Sequence, residues 1–258
     1  MRTMQRFGTL ALAALLAACN GESTGPDLTP AADLLLARDV ATQMGEAVGE
    51  DVEMMGGPTG QFGFGFAAAE GLDDAPFRCG TNTRDQRTVV RTCTFRDAGG
   101  NEQAAYDPAT TESVAIHVEV SGSVTRDNWS ASIERERDLV VSGLAGAETS
   151  RTWNGTGSAS ATRSRHNNSG EERTYDMTSN GSITDVVVNL PRTENRWPES
   201  GTISRHVSVT VTGGPRDGTT YERDVTITFN GTQFVPIQVN DKTFTFDLRA
   251  RRIVRDGD

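Results

Sequence analysis

Few residues of this 258-residue chain are of types that do chemistry in combination: three histidines, three cysteines and one short run of alternating charge. His117, His166 and His206 stand far apart, and none belongs to an H-E-x-x-H or H-x-H spacing that would grip a metal from one element. His117 and His206 both fall in strand-like stretches, so only adjacent strands could bring them together. The run Glu134-Arg135-Glu136-Arg137-Asp138 reads as a solvated strand face pairing with arginines of a neighbour, rather than as paired catalytic carboxylates. Residues Gly21 to Gly25 match the G-x-S-x-G nucleophile pattern around Ser23. That motif works only on a sharp strand-to-helix turn, and here it lies in a polar linker. Asp97 to Asn101 offers oxygen ligands too sparsely for a calcium loop, and no glycine-rich phosphate loop precedes a helix. The residues nominate no catalytic, cofactor or metal site.

Cys19 closes a different kind of signal. Arg2 and Arg6 precede an apolar run, Phe7 to Ala18, with no acidic residue. At about 12 residues it falls short of the roughly 20 needed to cross a hydrocarbon core, so residues 1–18 read as a secretory signal peptide. Its end, Leu16-Ala17-Ala18-Cys19, resembles the lipobox of bacterial lipoprotein precursors. The resemblance implies diacylglycerol on the Cys19 thiol, cleavage before Cys19 and acylation of the new amino group. The mature chain is then expected in the cell envelope, lipid-anchored to a membrane. Asn20 follows the cysteine, which in that family is compatible with outer-membrane sorting. Residues 19–29 would be the lipidated N-terminus and tether, and 30–258 a single domain.

In an oxidising compartment Cys79 and Cys93 form an even pair. A hairpin centred near Gln86 would set them opposite each other, close enough for a structural disulfide.

The net charge is −10 and Lys242 is the only lysine. An acidic chain without a dense basic cluster lacks the footprint that holds nucleic-acid phosphates, and its anchor would be lipid rather than attraction to anionic headgroups. Aromatic residues make up only 6%, so the core must be built from Val, Ile, Leu and a few Phe. The 27 glycines, with abundant Ser, Thr and Asn, favour many turns joining strands.

One helix is expected from about Pro30 to Met55, with Thr29 as N-cap and Pro30 at the first helical position. Leu36, Val40, Met44, Ala47, Val48, Val52 and Met55 share one face. Gly45 and Gly49 weaken it. Phe62, Phe64 and Phe66 alternate with glycines and would tuck onto one side of a strand.

Beyond Ala75 the period is two: nine stretches alternate larger apolar with polar residues, separated by turn chemistry, with Asn230-Gly231 reading as a type I′ hairpin. The fold class is mainly β: a large twisted antiparallel meander sheet, or a half-open barrel, with the N-terminal amphipathic helix packed on it; a β-sandwich is the alternative. Outward positions filled with Ser, Thr, Arg and Glu argue against a transmembrane barrel. Three functions fit: a non-enzymatic binding or structural module of the envelope, a carrier of an apolar ligand or lipid in the concave face of a curled sheet, or an envelope hydrolase.

Overall fold

The computed structural model describes residues 30–55, 77, 79–84, 86–126, 129–166, 172–191, 196–213, 217–250 and 252–254. Cys19, the tether with Thr29 and the Ser23 motif, and the 62–66 phenylalanine run lie outside the described residues. Along the chain come α1 (Pro30–Met54), β1 (Gly80–Arg84), β2 (Arg87–Asp97), β3 (Glu102–Gln103), β4 (Thr111–Arg126), β5 (Trp129–Ser142) and β6 (Ser150–His166). There follow β7 (Glu172–Asn189), β8 (Ser200–Thr212), β9 (Thr219–Thr228), β10 (Phe234–Val239), β11 (Lys242–Asp247) and β12 (Arg252–Ile253).

All twelve strands make one antiparallel sheet in the order β1-β2-β4-β5-β6-β7-β8-β9-β10-β11-β12, with β3 folded back on β2. The sheet is not closed, since β1 and β12 are its ends. Nearly every strand pairs with its neighbour in sequence, which is the meander the alternating pattern predicts. A sandwich would need chain that crosses between two sheets, and the short connections leave none.

Period two then sorts the sheet into two faces. Val114, Ile116, Val118, Leu139, Val141, Ile183, Ile203, Val207, Ile227 and Ile237 point to one side and are buried with the helix in a single apolar core. Their neighbours in sequence are mostly Ser, Thr, His, Asp, Glu and Gln, with Ala115, Val140 and Pro236 among them, and they point the other way.

Helix α1 presents Leu36, Val40, Met44, Ala47, Val48 and Val52 to the core, with Met55 just past its end, the face read from the sequence. Gly45 has a use the propensity argument misses. A β-carbon there would stand 2.3 Å from the Phe246 ring, so only glycine lets helix and sheet approach this closely.

Three local expectations need correction. Asn230-Gly231 is not a two-residue turn: β9 ends at Thr228, β10 begins at Phe234, and Gly231 alone has positive φ, 75°. The Asn230 carboxamide oxygen accepts from the Thr232 amide and hydroxyl, which favours a longer loop. The tight hairpin is at Asn240-Asp241, where Val239 pairs with Lys242 and Asn240 takes φ 51°. Second, the 242–254 stretch is broken. The Asp247 carboxylate accepts amides of Arg249 and Ala250, closing a turn between β11 and β12.

Third, the β1–β2 hairpin pairs Arg84 with Arg87 and Gly80 with Arg91, one residue off the expected register. Cys79 is therefore not directly opposite Cys93. Gly80, at φ 112°, breaks the strand alternation, and the two cysteines are joined in a disulfide with Cα atoms 5.8 Å apart. The bond ties the incoming chain to β2, so that Phe77 packs on Phe95 and Tyr106 with ring centroids 6.1 and 5.5 Å away. Arg151 lies 5.4 Å above the Phe77 ring and pairs with Glu148 at 2.5 Å.

Candidate functional site

Helix α1 packs on the apolar face of the sheet, closest to β9–β12, and two aspartates fix it there. Asp33, in the first turn, pairs with Arg223 of β9 at 2.6 Å and with Lys242 of β11. Asp51, in the last turn, pairs with Arg137 of β5 at 3.4 Å and with Arg205 of β8. Burial alone would raise the Asp51 carboxyl, but the guanidiniums of Arg137 and Arg205 outweigh it and hold its pKa below the ordinary 3.8.

The sequence reading gave the Glu134–Asp138 run to one solvated face. Strand alternation splits it instead: Arg137 turns into the core while Glu134, Glu136 and Asp138 stay outside. The glycines opposite make room for this. Arg137, Gly157, Gly181 and Arg205 occupy one rung across β5 to β8. A β-carbon on Gly157 would meet the Arg137 side chain at 2.6 Å, and one on Gly181 would meet the Ser204 carbonyl at 2.1 Å. Two arginines can lie flat towards one carboxylate because two glycines separate them.

The opposite face is mainly polar, with Val140 and Phe234 exposed on it. One rung runs Glu119, Glu136, Ser158, Asn180, His206 and Asp224 from β4 to β9. The next runs His117, Asp138, Thr156, Ser182, Ser204 and Thr226. Short side chains on β6 and β7 leave a trough of about 700 Å³ between higher walls. Glu136 and Asp138 stand on one wall, His206 and Asp224 on the other.

Each wall carries a histidine hydrogen-bonded to its direct cross-strand aspartate. His117 Nδ1 lies 2.8 Å from Asp138 Oδ1, and His206 Nδ1 lies 2.8 Å from Asp224 Oδ1. Hydrogen bonds to Asp138 and then Glu119 raise the His117 pKa above the ordinary 6.5. The sheet does not bring the two histidines together, because four strand spacings of about 4.8 Å separate β4 from β8. An imidazole oriented by a carboxylate can shuttle protons, yet among the described residues no hydroxyl is hydrogen-bonded to either ring.

Sequence reasoning missed Asp51, although a signal was present: it stands three residues after Val48 and seven after Met44, on the apolar stripe. The trough was not legible, since it depends on register across five strands. No family model, no curated protein and no solved structure matches this chain.

Proposed function

We propose that the chain is a lipid-anchored binding module of the bacterial cell envelope, tethered through Cys19, whose working surface is the polar face of the sheet. One observation carries the second half of this reading: the apolar face is buried, with α1 packed on it and held at both ends, while the other face presents a trough lined by hydroxyls, an amide and three carboxylates. That occupancy favours a polar ligand over the lipid carrier.

Glu136, Asp138 and Asp224 repel anions, and the Ser, Thr and Asn floor offers donors and acceptors. The chemistry suits a neutral, hydroxyl-rich polymer such as an envelope glycan. Affinity electrophoresis of the purified protein in gels containing dextran, hydroxyethylcellulose or soluble starch tests it. Retardation by at least one polymer, abolished by Asn180→Arg in the trough floor, is the expected result. Unaltered mobility in all three contradicts the reading.

A further inference from the structure

We propose that His117, Glu136 and Asp138 bind a first-row divalent cation, for which Zn²⁺ is the fitting probe, on the β4–β5 wall of the trough. One ligand atom from each residue lies within 4.8 Å of the other two. Two atoms bound at about 2.0–2.2 Å to one zinc ion stand at most about 4.4 Å apart, so small side-chain movements close the site. Glu136 and Asp138 are exposed and free to make them.

The imidazole is already arranged for coordination. Nδ1 faces Asp138, while Nε2 lies 3.4 Å from Glu119 Oε1. A ring that ligates through Nδ1 would donate its Nε2–H to Glu119, the outer carboxylate that fixes the tautomer and raises ligand basicity. One imidazole among carboxylates selects zinc-like ions over Ca²⁺ or Mg²⁺, which take oxygen ligands.

Charge placement points the same way. Glu119 and Glu136 are direct cross-strand partners, and like charges so placed cost stability. Arg137 reaches only the backbone carbonyl of Glu136, and a cation held by the Glu136 carboxylate offsets the repulsion. The ligands sit on strands of 16 and 14 residues, so backbone pairing holds their spacing. His206 and Asp224 make an equally short imidazole–carboxylate contact but have no third ligand among the described residues.

The test is calorimetric titration of the tag-free full chain with ZnCl₂, with the visible spectrum of a Co²⁺ titration as a second readout. One ion per chain is expected, with affinity lowered at least tenfold by His117→Ala and by Glu136→Gln with Asp138→Asn, and with circular dichroism unchanged. Absence of stoichiometric binding, wild-type affinity in His117→Ala, or equal affinity for Mg²⁺ overturns the proposal. Polymer retardation in metal-free gels is independent of this outcome, so either reading can fail alone.

Discussion

Asp51 of α1 and Arg137 of β5, 86 positions apart, form an ion pair in which the two side chains are only 7% and 5% exposed. Removing the carboxylate would leave two guanidiniums buried against the helix. Breaking a buried pair from one side typically costs about 3–5 kcal/mol, so Asp51→Ala should lower the urea midpoint by that equivalent. Asp51→Leu combined with Arg137→Met and Arg205→Met should recover most of it, because an apolar replacement of the whole cluster leaves no orphaned charge.

The same residue predicts an acid response. Its folded pKa is held below 3.8, so the unfolded chain takes up the proton first as pH falls. The ionised Asp51 therefore contributes its full stability above about pH 5, and the contribution is lost as pH drops through 3.8 towards the folded value. The stability difference between wild type and Asp51→Asn should be constant from pH 8 to 5 and shrink below pH 4. A difference that grows on acidification would contradict the assignment.

Glycines inside regular elements should behave against their propensities. Gly→Ala in a helix ordinarily gains about 1 kcal/mol, yet Gly45→Ala must displace Phe246 and should destabilise by about 1–3 kcal/mol. Gly181→Ala meets a backbone carbonyl, which cannot step aside, and should cost at least as much. Thermal melts of the two variants check this, and a raised Tm in either would mean the contact is looser than described.

These cases show what a sequence pattern can and cannot reveal. Strands β2 and β4 to β10 follow from the alternation of apolar and polar residues, and the buried stripe of α1 from three-to-four spacing, because both periodicities are local. Gly157 and Gly181 look like weak points in strands until pairing sets them between Arg137 and Arg205. The trough is similar: Ser158, Asn180 and His206 are unremarkable alone and become one rung only when three strands align. Even the disulfide shows the limit. Pairing Cys79 with Cys93 was legible, whereas the one-residue offset depends on the Gly80 backbone.

That disulfide should be structural. Closing a loop of about 15 residues stabilises by roughly 3 kcal/mol in the chain-entropy model, and Phe77 loses its hold on the sheet without it. Cys79→Ala with Cys93→Ala should shift the denaturation midpoint by about that amount. Zinc affinity and polymer retardation should not change, since the trough lies on the other face.

The proposed envelope placement rests on Cys19 being the first residue after processing, and mass spectrometry of the protein from a bacterial membrane fraction tests it most directly. The account predicts an N-terminal peptide beginning at Cys19 and carrying a thioether-linked diacylglycerol. A soluble chain that still begins at Met1, with Cys19 unmodified, would contradict it.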